Sequence, residues 1–263
     1  MKSAGATVLM YHRLSDWAVF EDEALYTVPP ASFEEHMKAI VELGHPVLRA
    51  EELASRKALE GAVAITFDDG CSSDCQVALP ILRSLGLTAA FFVNPGRVGE
   101  KHFMSWDQIA FLASEGMSIG SHGLDHRLFD GLPLAEIERQ LFESRSLLEK
   151  HLGLEVTLLS LPGGSGARTA PAIARRLGYR VVFGSDPAPV RGDEEIVPRF
   201  AIRRRETVAG LQELLRGRPL RLARERVRNR ALRTARAVGG PLYERVRELW
   251  FSRAAESSRT ERR

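Results

Sequence analysis

The sequence predicts an α/β protein whose parallel βα units form an incomplete barrel. Seven strand-like runs precede the C-terminal tail, and segments with helical periodicity separate them. A chain of 263 residues can bury one substantial core, and barrels of this length usually form one domain. In such a barrel the active site lies at the carboxyl ends of the strands, so the residues that follow each strand are the candidates for function.

The predicted strands are short runs of apolar and β-branched residues. They cover residues 7–11, 63–67, 88–93, 118–121, 156–161, 180–183 and 196–200. The helices with the clearest boundaries cover residues 32–43, 80–85 and 134–152. Ser32 is the expected N-cap of the first, with Glu35 three residues later, and Gly86 and Gly153 are expected to end the other two.

The charge distribution divides the chain in two. The overall net charge is +3, but residues 216–263 contain 15 arginines and 5 glutamates and therefore carry +10. The preceding 215 residues carry −7, so the two parts are expected to meet different partners. We predict a barrel over residues 1–216 and an arginine-rich, amphipathic helical tail over residues 217–263.

The tail is predicted to be helical, with a break at residues 239–241 and disorder after Ala254. Its apolar residues form two stripes, one of Leu220, Val227, Ala231 and Val238 and one of Leu242, Val246, Leu249 and Trp250. Basic amphipathic helices of this kind bind membrane surfaces. The alternative is a helix that packs on the barrel through its apolar stripe.

The partners and location follow from the same features. No apolar run approaches the ~20 residues of a membrane span, and the N-terminal one is too short for a secretory signal. We therefore expect a cytoplasmic protein, held peripherally at the inner membrane face where the tail meets anionic lipid. A nucleic-acid partner is suggested by the arginines alone and is not expected, because no interleaved aromatic residues or known nucleic-acid motif accompany them.

An acidic pair ends the second predicted strand, in the motif TFDDG at residues 66–70. Successive strand side chains point to opposite faces, so a regular strand cannot aim Asp68 and Asp69 at one point. The turn at Gly70 relaxes this alternation. One carboxylate can then bind a metal while its neighbour faces the attacking water.

Two histidines follow the fourth predicted strand, in the motif SHGLDH at residues 121–126. His122 and His126 are four residues apart, which brings two imidazoles together on a helical turn or across a tight loop. Two imidazoles and one carboxylate leave coordination positions open, as a hydrolytic metal site requires. Alone, either motif is more often a solvated turn or a surface helix; the functional interpretation depends on finding both after strands.

Together the two motifs resemble those of the polysaccharide deacetylases, the NodB-like carbohydrate esterases, over residues 4–203. The resemblance implies a distorted (β/α)7 barrel and a hydrolase that removes acetyl groups, chiefly N-acetyl, from an amino-sugar polymer such as an exopolysaccharide, or from a glycoconjugate. It also implies that Asp68 is the catalytic base and that Asp69, His122 and His126 bind the metal. Zn²⁺ suits this ligand set best, although Co, Ni or Mn fit similar ligands.

His12 ends the first predicted strand and is expected on the same rim as Asp68. The run Met-Tyr-His-Arg at residues 10–13 resembles the N-terminal motif of the poly-N-acetylglucosamine deacetylase branch. That likeness implies that His12 is the general acid that protonates the departing amine. An isolated histidine after an apolar run is otherwise a structural residue.

A third motif, LPGG at residues 161–164, resembles the family pattern Arg-x-Pro-Tyr-Gly but departs from it twice. Ser160 stands where the family has the arginine that orients the base, and Arg199 is the best substitute in the sequence. Gly163 stands at the tyrosine position, where the resemblance implies a backbone N–H for the oxyanion. The alternative is that Gly163 belongs to a flexible turn.

Trp106 and Leu128 are candidates for the wall of an acetyl pocket, with core packing as the alternative for both. The alternative function is a catalytically impaired barrel that binds carbohydrate or lipid as a scaffold. The absence of arginine at position 160 is the observation that favours it.

Overall fold

The computed structural model describes residues 5–18, 24–54, 59–164 and 166–238. Within them, seven parallel strands form one curled sheet in the order β6-β5-β4-β3-β2-β1-β7. The strands are β1 Thr7–Tyr11, β2 Val63–Phe67, β3 Ala90–Val93, β4 Ser118–Ser121, β5 Leu158–Ser160, β6 Val181–Phe183 and β7 Phe200–Ala201. The predicted distorted (β/α)7 barrel is confirmed.

Helices connect the first six strands as crossovers, and two further helices follow β7. They are α1 Pro30–Glu42, α2 Leu79–Ser84, α3 Trp106–Ser114, α4 Leu134–Leu152, α5 Ala170–Arg176, α6 Val208–Leu215 and α7 Pro219–Val238. The first six strands are buried along their whole length, because helices cover one face of the sheet and the curled sheet closes over the other. The helix-facing core contains Leu9, Ile65 and Phe91, and the opposite face carries Val8 and Ala64.

The barrel closes through one residue that precedes β7. The Val197 N–H donates to the carbonyl of Val182, and the Gly184 N–H donates to the carbonyl of Val197. The predicted strand at 196–200 is therefore wrong in its bounds. Pro198 has no N–H to continue the ladder, so regular pairing resumes only at Phe200.

Helix boundaries show where local signals suffice. Helix α4 has the predicted bounds and ends at Gly153, which adopts the left-handed conformation with φ of 66°. Helix α1 begins two residues before the predicted cap, and Ser32 makes no cap hydrogen bond there. Pro30 takes the first helical position, which suits its fixed φ and missing N–H. No helix in the described ranges combines the length and apolar composition needed to cross a membrane.

Candidate active site

Strand register brings the predicted functional residues to one edge of the sheet. Tyr11 pairs with Phe67, so His12 and Asp68 are the next residues on neighbouring strands. The Asp68 N–H donates to the Tyr11 carbonyl at 3.0 Å. Likewise Ser121 pairs with Val93 at the ends of β4 and β3. The residues that follow β1, β2 and β4 therefore lie on the carboxyl edge, as predicted.

A left-handed turn separates the directions of the two carboxylates. Asp69 has φ of 78° and Gly70 has φ of 71°. A non-glycine residue in this region is uncommon and indicates a constrained site. The turn breaks the strand alternation, so Asp68 faces Arg199 while Asp69 faces the two histidines.

The predicted metal ligands come together around Asp69. Its Oδ1 lies 3.4 Å from Nε2 of His122 and 3.3 Å from Nε2 of His126. The segment that carries the histidines is a loop rather than a helix, and His126 has φ of 65°. In the described part of the chain, these three residues form the group whose donor atoms all lie within 4.8 Å of one another.

The chemistry of these donors fits a divalent cation. His122 Nδ1 lies 2.9 Å from the Ser160 carbonyl, which fixes the tautomer that leaves an Nε2 lone pair toward Asp69. The buried Oδ1 of Asp69 accepts no hydrogen bond from the described residues. A buried carboxylate oxygen without a donor is costly, and a cation would satisfy it.

The electrostatics of the cluster also favour positive charge. Burial opposes ionisation of Asp69, but His122, His12 and His126 together hold its pKa far below the ordinary value. Burial would lower the pKa of His122, yet the carboxylates of Asp68 and Asp69 raise it overall. The pocket between the carboxylates therefore attracts a cation or, without one, a proton.

Arg199 holds Asp68 in a bidentate ion pair inside the barrel. Nη1 and Nη2 each donate to one carboxylate oxygen at 2.7 Å. Nη1 also reaches Thr66 Oγ1, Nη2 reaches Ser160 Oγ, and Nε donates to the carbonyl of Gly184. All five N–H groups of the guanidinium thus have acceptors, as a buried arginine requires.

The same contacts set the protonation of Asp68. Burial acts to raise the pKa of this carboxyl, but the Arg199 guanidinium, with help from His122 and His12, brings the pKa below its ordinary value. Asp68 is therefore ionised at neutral pH. Ser160 donates to Oδ2 of Asp68 at 3.2 Å. The serine that stands where the family motif has arginine therefore contacts the same carboxylate as Arg199.

Two buried residues beside the site were missed in the sequence. Asn94 follows β3 as Asp68 follows β2, and its Nδ2 donates to the carbonyls of His122 and Gly123, which ties down the histidine loop. Its position directly after a strand was the available signal. Asp74 is fully buried, and this burial, with Asp69 and Asp68 acting in the same direction, raises its pKa well above the ordinary value against the opposing effect of Arg13.

The remaining predicted residues have distinct surroundings. The ring of His12 lies 4.9 Å from that of Tyr26, and its Nδ1 is buried without a hydrogen-bond partner in the described ranges. Gly163 has φ of 58°, a conformation that disfavours the tyrosine of the family pattern. Trp106 stacks on His151, in the last turn of α4, with centroids 3.9 Å apart, and Leu128 is 47% exposed. Their roles in binding or catalysis stay predictions.

Comparison with known proteins identifies this arrangement. The family profile described as "Polysaccharide deacetylase" matches residues 55–182, which contain both motifs. The chain belongs to the polysaccharide deacetylase family.

Relatives of known sequence or structure span most of this deacetylase. It is 28% identical to YxkH of Bacillus subtilis, itself described as a candidate polysaccharide deacetylase, over 77% of this chain and 72% of that protein. The structure of IcaB from Ammonifex degensii is 27% identical, with a TM-score of 0.70, over 86% of this chain and 98% of that one. The Streptococcus pyogenes deacetylase PplD, solved in complex with acetate, shares the fold with a TM-score of 0.71 at 22% identity, covering 81% of this chain and 99% of PplD.

The ligand set predicts which variants of this deacetylase lose metal. Asp69→Asn, His122→Ala and His126→Ala should each fall to background metal content after dialysis, because three protein ligands leave no redundancy. Elemental analysis of the purified protein measures this. Asp125→Asn is the matched control, since Asp125 lies in the same loop, is exposed and is outside the ligand group. Full occupancy in a ligand variant would remove that residue from the set.

The Arg199–Asp68 pair predicts a pH-dependent loss of stability. Arg199→Met should lower the free energy of unfolding near pH 8 by about 3–5 kcal/mol, because it strands a buried carboxylate. The pKa of Asp68, now depressed, should then rise above its unfolded value. The deficit should therefore narrow as the pH falls through that raised pKa, because the variant takes up a proton on Asp68 while the wild type keeps this carboxylate ionised. The wild type should lose the stability that its ion pair contributes only at lower pH, below the ordinary carboxyl pKa and towards its own depressed pKa.

Urea unfolding at several pH values tests this expectation. Arg180→Met is the control, because Arg180 makes an exposed ion pair with Glu155 that contributes at most about 1 kcal/mol. Equal losses in the two variants at every pH would mean that the buried pair has no special role in stability.

Proposed function

We propose that this protein is a metal-dependent hydrolase that removes N-acetyl groups from an acetylated amino-sugar polymer or glycoconjugate. The observation that carries the proposal is the Asp69, His122 and His126 cluster beside a second carboxylate fixed by Arg199. Family membership supports deacetylation of a carbohydrate. The metal, the kind of acetyl group and the residue roles are the proposed part.

A divalent cation of the zinc type, when bound by this cluster, would supply Lewis-acid activation of the acetyl carbonyl and of water. Asp68 is proposed for the proton-transfer role. Its Oδ2 lies 3.9 Å from Nε2 of His122, so a water that contacts the ligand group lies within its reach. Arg199 keeps Asp68 ionised and fixes the plane of its carboxylate. The Oδ2 atom therefore stays on the side of the ligand group, where that water would lie.

His12 is proposed as the acid that protonates the leaving amine. It follows β1 at the same edge as Asp68, and its charge acts on both carboxylates of the site. Its ring is partly exposed at this edge, although its Nδ1 is buried and has no hydrogen-bond partner among the described residues. An amine leaves poorly as an anion, so its departure requires a proton donor. A histidine beside the site could supply this proton, which favours an N-acetyl substrate.

Gly163 is proposed to direct its N–H at the developing oxyanion. It lies in the turn after β5, and the adjacent Pro162 lies against the histidine loop at Gly123. A donor in this position would hold negative charge as it forms on the acetyl oxygen. The left-handed backbone at Gly163 explains why the chain carries glycine there.

Asp68→Asn tests the assignment of the base. The amide cannot accept a proton, so acetate release from acetylated glucosamine oligomers should fall by at least about a hundredfold. Metal content should stay at the wild-type level, because Asp68 is outside the ligand group. Asp107→Asn, at an exposed aspartate in the first turn of α3, is the control. Turnover near the wild-type rate in Asp68→Asn would show that another group is the base.

His12→Ala tests the assignment of the acid through the leaving group. Hydrolysis of an N-acetyl oligomer should fall about a hundredfold or more, whereas that of an activated aryl acetate should fall far less, since its leaving group needs little protonation. His45→Ala is the control, because His45 bonds to the Gly61 carbonyl before β2, at the opposite edge of the sheet. Equal losses on the two substrates would assign His12 a structural role.

A further inference from the structure

Helix α7 is fastened to the barrel by its polar face. Glu225 is buried, and it accepts from Arg203 at 2.9 Å and from Arg228 at 3.2 Å. Arg221 pairs with Glu206 at 2.6 Å. One turn beyond Glu225, Asn229 donates to the Ser185 carbonyl and to Asp186 Oδ1. These residues recur at helical spacing, so one continuous stripe of charged and amide groups makes the contact.

The opposite face of α7 is therefore turned away from the barrel. Leu220 and Val227 are 77% and 69% exposed, and Ala223 and Ala231 are exposed beside them. Leu222 alone among the apolar residues of this helix packs partly on the core, within the described side chains. The alternative from the sequence, a helix packed on the barrel through the stripe of Leu220 and Val227, is therefore not what the structure has.

The outward face combines this apolar stripe with arginines that form no ion pair with the described residues. Arg224, Arg226 and Arg230 are exposed along it. The acidic residue of the helix, Glu225, is buried and already paired with three arginines. A lone apolar stripe with arginines on both sides, and no exposed carboxylate on the helix, is complementary to an anionic, partly apolar surface.

The anchors of α7 also place it beside the active-site rim. Arg203 and Glu206 follow β7, and Ser185 and Asp186 follow β6, so all four lie beyond the carboxyl ends of their strands. This is the edge that carries Asp68 and the histidine loop. A surface bound by α7 would lie next to the entrance of the site.

We propose that the outward face of α7 binds the surface of an anionic phospholipid bilayer. The lipid surface uses both features of the face, since headgroups attract the arginines and the acyl boundary accepts Leu220 and Val227. A nucleic acid would use the arginines and leave the apolar stripe in water. The inference rests on the contacts of α7 and not on the proposed deacetylation.

Sedimentation of the full chain with vesicles tests the proposal. Wild-type protein should bind vesicles that contain phosphatidylglycerol, bind vesicles of phosphatidylcholine much less, and lose binding as salt is raised. Arg224→Gln with Arg226→Gln and Arg230→Gln should weaken binding on the order of a hundredfold, since each arginine near an anionic surface is worth about fivefold. Leu220→Ser with Val227→Ser should weaken it by about tenfold or more.

Matched controls carry the same changes elsewhere on the barrel. Leu134→Ser with Phe142→Ser alters two residues of α4 that are 61% and 57% exposed. Arg175→Gln with Arg176→Gln and Arg180→Gln removes the same charge from exposed positions. Both controls should bind as the wild type does. Residues 239–263 are present in every variant, so their contribution is the same throughout.

Three results would overturn the proposal. The first is wild-type protein that ignores anionic vesicles. The second is α7 variants that bind as tightly as the controls. The third is evidence that the face binds a polyanion such as DNA. In that case the arginine variant would lose binding to both duplex DNA and vesicles, while Leu220→Ser with Val227→Ser would lose neither. Thermal unfolding confirms that each variant is folded, and all substituted side chains on α7 are exposed.

Discussion

The buried guanidinium of Arg199 is the contact on which the arrangement of the site depends. It joins Asp68, the proposed base after β2, to Ser160 on β5 and to the Gly184 carbonyl after β6. It also lies over the rings of Phe92 and Phe183 in the barrel interior. Two charges buried together cost stability unless every donor and acceptor is matched, and here each N–H of the guanidinium has a partner. That completeness fixes the direction of Asp68 from three sides.

Once Asp68 is fixed, the rest of the cluster follows from the turn beside it. The left-handed Asp69 and Gly70 swing the second carboxylate toward the histidine loop. Asn94 and the Ser160 carbonyl hold His122 there from two neighbouring strands. The site is therefore built from short segments after strands, each positioned by strand register, which is why motifs far apart in sequence meet at one edge.

That edge is also why much could be predicted from the sequence alone. Apolar runs marked the strands, and acidic and imidazole groups directly after them marked the ligand group. Two kinds of feature were missed: those decided by a competing local signal and those set by tertiary contacts. The first helix begins at Pro30 and not after a cap at Ser32. Pro198 interrupts the predicted last strand, so that its pairing with β1 begins at Phe200. The raised pKa of Asp74 has no local signature, because the burial and the neighbouring carboxylates that cause it come together only in the fold.

Helix α7 shows a limit of periodicity. The pattern identified an apolar stripe and an arginine-rich remainder, but a pattern cannot tell which face meets the barrel. The barrel presents Arg203, Glu206 and Asp186 at the contact. The polar face of α7 supplies a partner for each of them, namely Glu225, Arg221 and Asn229. A helix that turned its leucines towards the barrel would not make these contacts. The second stripe, from Leu242 to Trp250, lies outside the described residues, as does the segment after Ala254.

The position of Arg199 also bears on the alternative of a catalytically impaired scaffold. That alternative rested on serine at position 160, where the family pattern has the arginine that orients the base. In this chain a guanidinium reaches Asp68 from position 199, and Ser160 bonds to both partners. Ser160 and Arg199 thus hold the same carboxylate together, and the serine at position 160 is no argument against a fixed, ionised Asp68.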